Sequence, residues 1–149
     1  LHAYVDAHAH GFDENMYMDA ATRTYIEETG GANFLFVTKD GVLVSPKSDS
    51  ILPSITRRSL LYIAEHMLGM KTEHRPVKFS ELKDFAEAGL CGTAAVISPV
   101  GRVVNGDEVI DLPSGREKMG PVLQKLYDTI TGIQAGHIEG PEGWIRKIC

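Results

Sequence analysis

Four short stretches of the sequence bring reactive or ligand-binding residue types close together. In Asp6-Ala-His8-Ala-His10 a carboxylate and two imidazoles fall at every second position; on an extended strand they would share one side and could hold a divalent metal. A metal-dependent hydrolase built on Asp6, His8 and His10 is one reading of that run. The alanine-rich context favours a helix instead, with His2, Asp6 and His10 at i, i+4 and i+8 along one solvated face. Glu27-Glu28 precedes Thr29-Gly-Gly-Ala-Asn33, and strand alternation turns one carboxylate inward, where it needs a partner, and the other to solvent. Pro53-Ser-Ile-Thr-Arg57 reads as a helix start: Ser54 can cap it, and the free N–H groups of its first turn suit a phosphate. Gly92-Thr-Ala-Ala95 combines a glycine, two small residues and a hydroxyl, so backbone amides could approach an anionic oxygen closely; a tight turn into a buried strand accounts for the same spacing.

The elements that must position these stretches follow from periodicity and punctuation. Leu1–His10 reads as a helix tail closed by Gly11; it opens without an N-cap, which predicts a piece of a longer chain. Extended runs are expected at Met16-Tyr-Met, Thr24-Tyr-Ile and Asn33–Thr38, with a turn at Lys39-Asp-Gly41 leading into Val42-Leu-Val-Ser. Apolar residues at 55, 60, 61, 63, 64, 67 and 68 recur at helical spacing and Gly69 ends the run. A second helix is predicted from Ser80 to Gly89, followed by a strand at Ala94–Ser98. Arg102-Val-Val and Val109-Ile-Asp-Leu flank Asn105-Gly-Asp107 as a hairpin, and Val122–Ala135, introduced by Pro121 and closed by Gly136, is the last long helix.

The chain has 149 residues, enough for one domain, with 43% hydrophobic and 23% charged residues, which fits a mixed globular protein rather than a disordered one. A net charge of −5 with scattered Lys and Arg argues against a nucleic-acid partner. No apolar stretch approaches the ~20 residues of a membrane-spanning helix, and no signal segment opens the chain, so a cytoplasmic location is expected. Two cysteines, Cys91 and Cys149, are too few for a disulfide framework or a cysteine-rich zinc site.

Taken together, Tyr25–Phe34 (Tyr-Ile-Glu-Glu-Thr-Gly-Gly-Ala-Asn-Phe), Ile51–Arg58 (Ile-Leu-Pro-Ser-Ile-Thr-Arg-Arg), Gly92–Pro99 (Gly-Thr-Ala-Ala-Val-Ile-Ser-Pro), and Met119-Gly-Pro with Ile133-Gln-Ala-Gly136 and a late Trp144 resemble the branched-chain aminotransferases in order and spacing. The resemblance runs over essentially the whole chain. It implies an α/β fold, the C-terminal cofactor-binding domain of the D-amino-acid-aminotransferase-like class IV enzymes, with strands wrapped by three main helices. It implies pyridoxal 5'-phosphate as cofactor, branched-chain amino acids and 2-oxo acids as substrates, and a homodimer.

Residue by residue, the resemblance makes Glu28 the carboxylate that pairs with the pyridine nitrogen. It puts Gly31 beside the cofactor and gives Ile55 and Thr56 to the phosphate through their amides, and Thr56 also through its hydroxyl. Thr93 and Ala94 would hold a phosphate contact and the substrate carboxylate. Where mammalian relatives carry a Cys-x-x-Cys pair this sequence has Ala95 and Ser98, so no thiol switch is implied there. The family's cofactor-bonding lysine precedes a Gly-Gly-Asn-Tyr run that this sequence lacks. The expectation is therefore a domain truncated on its N-terminal side and inactive by itself, with a non-catalytic association fragment as a further alternative.

Overall fold

A computed structural model describes residues 2–146 and 148, so Leu1 of the expected first helix and the second cysteine, Cys149, lie outside the described residues. The organising element is the strand β3 (Asn33–Thr38), whose sequence Asn-Phe-Leu-Phe-Val-Thr is apolar on both faces and buried over its first five residues. A strand of that composition must be covered on both sides. Leu35 and Val37 point to one face, with Leu43 of β4 (Leu43–Pro46), Cys91 of β6 (Phe85–Gly92) and Ile97 of β7 (Val96–Pro99). That face is closed by Leu60 of α2 (Ile55–Tyr62), Ile63 just beyond it, and Leu123, Leu126, Ile130 and Ile133 of α3 (Pro121–Gln134). On the opposite face Phe36 stacks between Phe34 and Phe85, with ring centroids 5.5 and 4.7 Å apart, over Ile26, Val77 and Leu82.

Strand β6 runs antiparallel along the whole of one edge of β3. The other edge is shared, β2 (Ile26–Thr29) pairing at Glu28↔Asn33 and β4 at Phe36↔Val44 and Val37↔Leu43. A short β1 (Met16–Met18) extends the sheet beyond β2, and β5 (Thr72–Arg75) lies parallel to β4. The separate hairpin of β8 (Arg102–Asn105) and β9 (Glu108–Asp111) has the turn at Asn105-Gly-Asp107 that the sequence predicts. Helix α1 (His2–Ala9) buries none of its residues. Among the described residues, no helix is long and apolar enough to cross a membrane.

One predicted element is overturned. The segment expected to be a helix from Ser80 to Gly89 is a short 3-10 turn, Phe79–Asp84, that passes directly into β6. Its Leu82 and Phe85 are three residues apart and mimic a helical stripe, but six ladder pairings to β3 decide the matter. Among the described residues the α-helices are α1, α2 with its π-helical extension Ile63–Met67, and α3, so two of the three expected main helices are present. The strand expected from Ala94 begins at Val96, because Thr93–Ala95 form the β6–β7 turn.

Glu87 of β6 joins the sheet to α3. It is 4% exposed, and its carboxylate accepts hydrogen bonds from the amides of Val122 (3.0 Å) and Leu123 (2.9 Å) in the first turn. A side-chain acceptor from another element thereby satisfies amides that Gly120, the N-cap, cannot reach. A Cβ at position 120 would overlap Cγ, Cδ and Oε2 of Glu87. Gly120→Ala should displace that carboxylate and leave buried polar groups unpaired, lowering stability by about 2–4 kcal/mol. Chemical denaturation checks this; an unchanged midpoint would show that the cap is dispensable.

Candidate functional site

Glu28 sits at the end of β2, where the chain turns through Thr29-Gly-Gly-Ala32 into β3. Thr29, 5% exposed, holds the turn: its amide donates to the Ala32 carbonyl (2.9 Å), and its hydroxyl accepts from the Ala32 amide (3.0 Å). Two glycines keep the turn bare; a Cβ at Gly30 or Gly31 would meet no atom within 4 Å. Tyr4, Glu14, Tyr17, Glu28, Thr29, Gly30 and Gly31 line an open cleft of about 490 Å³. Tyr17 reaches it from β1. The turn that follows β1 is tied by Asp19, whose carboxylate accepts from the amides of Thr22, Thr24 and Tyr25 at 2.6–2.8 Å. These donors hold the Asp19 carboxyl far below the usual carboxylate range, the Tyr25 amide most strongly.

The two glutamates differ from the alternation expected of them. Both are half-buried, although Glu28 shares a face of β2 with buried Ile26 and Glu27 shares one with buried Thr29. Each is instead engaged by the segment leading to α2. Ser48 donates its hydroxyl to Glu27 Oε1 at 2.9 Å. Glu28 Oε2 accepts from Asn33 Nδ2 at 2.8 Å and from the Leu52 amide at 3.2 Å. Among the described residues Glu28 Oε1 makes no hydrogen bond, and Glu28 lines the cleft. One oxygen is therefore fixed and the other available to a donor in the cleft.

The same segment delivers the start of α2. Ser54 adopts an extended N-cap conformation and its Oγ accepts from the Arg57 amide at 3.2 Å, as expected of a cap. The amides of Ile55 and Thr56 precede that bond and have no carbonyl within the helix to donate to. Ile55 is 66% exposed, so this end is open to an anion. Arg57 points the other way, into the protein, and is 6% exposed. On the far side, Thr93 and Ala94 lie in the exposed β6–β7 turn. Val96 closes that turn with φ +62°, a left-handed conformation that costs a β-branched residue about 1–2 kcal/mol. Pairing of Val96 with Gly92 and packing on the helix-side core offset the strain and fix the turn's direction.

The residues expected from sequence thus fall into three groups: Glu28 and Gly31 in the cleft, Ile55 and Thr56 at the helix start, and Thr93 and Ala94 in the exposed turn. Two contacts link them. Leu52 joins the helix start to Glu28, and the Gly31 carbonyl lies 3.6 Å from where a Cβ of Gly92 would stand. Leu52 and Asn33 as partners of Glu28 were not identified from sequence; an Asn just beyond a bare Thr-Gly-Gly turn was the available signal. The Asp6, His8 and His10 run lies on α1 and its last turn, so residues two apart are rotated by about 200° and do not converge. His10 Nδ1 lies 2.8 Å from the Asp6 carbonyl, in an exposed contact. Among the described residues no cluster of His, Cys, Asp and Glu is placed to hold a metal ion.

The sequence profile of the family described as amino-transferase class IV matches residues 1–103. The chain is 51% identical over 137 residues to the branched-chain-amino-acid aminotransferase of Haemophilus influenzae, a match that takes in 92% of this chain and 40% of that one. The Helicobacter pylori enzyme of the same name is 40% identical over 148 residues, 99% of this chain and 42% of the relative. Among solved structures, the Escherichia coli branched-chain amino acid aminotransferase superposes with a TM-score of 0.81 at 33% identity, covering 95% of this chain and 45% of that one. The branched-chain amino acid aminotransferase of Thermobaculum terrenum, in its PLP-bound holo form, does so at 0.79 and 30% identity, over 91% of this chain and 42% of that one. The chain therefore spans about two fifths of the length of these relatives.

Proposed function

Because the chain belongs to the class IV aminotransferases, we propose that it is the C-terminal cofactor-binding part of a branched-chain-amino-acid aminotransferase. The longer protein would move the amino group of leucine, isoleucine or valine to 2-oxoglutarate, as a cytoplasmic homodimer. The observation that carries this reading is Glu28, with Oε2 anchored by Asn33 and Leu52 and Oε1 left for a ligand in the cleft.

The residues present fit pyridoxal phosphate. The bare Gly30-Gly31 turn leaves room for a flat ring beside the Glu28 carboxylate, and the helix start offers two unpaired amides to a phosphate. When bound, the cofactor supplies an aromatic ring able to accept the electron pair left behind as the substrate loses its α-proton. Glu28 Oε1 would accept a hydrogen bond from the protonated ring nitrogen and so keep the proton there. Ile55 and Thr56 would orient the phosphate, through their amides and the Thr56 hydroxyl. Thr93 and Ala94 would meet the substrate carboxylate from the strained turn on the far side.

Phosphate titration followed by amide NMR tests the helix start. The Ile55 and Thr56 resonances should move most and saturate together. Shifts that cluster elsewhere while these two stay silent would remove the phosphate site from this reading.

A further inference from the structure

Glu28, Asn33 and Cys91 form one row across three strands, Glu28 pairing with Asn33 between β2 and β3, and Asn33 with Cys91 between β3 and β6. Asn33 is 4% exposed and donates through Nδ2 to Glu28, but its Oδ1 is buried without a hydrogen-bond partner. Arg57, on the inward side of the first turn of α2, is 6% exposed, and its Nε is buried without a partner too. A guanidinium stays charged and can only donate, and a buried donor of that kind left unpaired is costly. Burial lowers the Arg57 pKa, and the Glu28 carboxylate at one end of the row opposes that shift. Arg57 lies one turn before Leu60 on the buried side of α2, which closes over Leu35 and Val37, and Asn33, with its unused acceptor, shares their face of β3 by strand alternation.

We propose that Arg57 and Asn33 form a buried positioning relay for Glu28, in which Arg57 Nε–H donates to one enclosed water that in turn donates to Asn33 Oδ1. The relay runs in one direction only. A reversed Asn33 amide would face its NH2 to the guanidinium and its oxygen to the carboxylate, losing both contacts. With the amide locked, Glu28 Oε2 is held in the wall and Oε1 is turned to the cleft. Ser45 Oγ, on neighbouring β4, is a buried hydroxyl that also lacks a partner and is the competing acceptor. The functional consequence rests on the reading of Glu28 as the ring-nitrogen carboxylate; the contact itself does not.

Two measurements on the full-length protein decide this. In the apoprotein, the Asn33 side-chain amide correlation should shift and broaden in Arg57→Met, shift partially in Arg57→Lys, and stay in place in Ser45→Ala. Arg57→Lys keeps a cation in the pocket and serves if Arg57→Met does not fold. With pyridoxal phosphate 15N-labelled at the ring, the nitrogen resonance should move toward the unprotonated position in Arg57→Met, and no further in Arg57→Met combined with Glu28→Gln than in Glu28→Gln alone. An unmoved Asn33 signal, an equal response to Ser45→Ala, or additive ring-nitrogen shifts would overturn the relay. If Glu28→Gln alone leaves the ring nitrogen unchanged, the reading of Glu28 fails, while the Asn33 signal still decides the contact.

Discussion

Glu28→Gln in the full-length protein should slow removal of the substrate α-proton by about two to three orders of magnitude while leaving cofactor affinity largely intact, the scale on which a single preorganised electrostatic contact is removed. A neutral amide can still be held by Asn33 and Leu52, so the wall of the cleft survives. What would be lost, on the proposed reading, is the anionic oxygen that would favour a protonated ring. Glu27 is the internal control: it has the same charge and is equally half-buried, yet it is bonded to Ser48 and does not line the cleft. Glu27→Gln should change the rate by less than about threefold, a fraction of 1 kcal/mol. Pre-steady-state absorbance of the cofactor measures both. Equal losses would mean that the wrong member of the pair has been assigned to the ring.

The second large effect concerns the 149 residues on their own. Incubated with pyridoxal phosphate and reduced with borohydride, this chain should carry no stoichiometric adduct on one lysine and should not turn over leucine. Covalent attachment needs an ε-amine held against the cofactor's aldehyde carbon. The described lysines, at positions 39, 47, 71, 78, 83, 118 and 125, are all exposed, and none lines the cleft beside Glu28. Sparse labelling spread over several of these side chains fits the reading. A single modified lysine mapped by mass spectrometry, together with turnover, would refute it.

Features decided by local pattern could be read directly from the sequence. The Ser54 cap and the apolar stripe up to Leu68 announce α2, Pro121 and Gly136 bracket α3, and Asn105-Gly-Asp107 marks its hairpin. Features decided by distant partners were not. The Leu82 and Phe85 spacing is compatible with a helix, and only the ladder to β3 makes the segment from Phe85 a strand. Likewise the order of residues singles out Glu28 only through family resemblance, since simple alternation gives one inward and one outward glutamate. The loop that engages both arrives from twenty-odd residues away, which no local period encodes. The positive φ of Val96 is also invisible to pattern, because a β-branched residue is a rare occupant of that conformation.

That loop has a consequence for how such a site can be altered. Ser48 and Leu52 are fastened to neighbouring residues of β2, and Ser54 begins the helix only two positions later. The distance from the Glu28 carboxylate to the Ile55 and Thr56 amides is thus set by a fixed count of residues, like the span between two rivets. Inserting or deleting one residue between 48 and 54 would either unfasten Glu28 or rotate the first turn of α2 by about 100°, turning the Ile55 and Thr56 amides away from the Glu28 side. Attempts to widen this protein's specificity by loop grafting would do better to leave the count here untouched and vary the 93–95 turn, whose side chains are exposed and make no side-chain hydrogen bond to either glutamate.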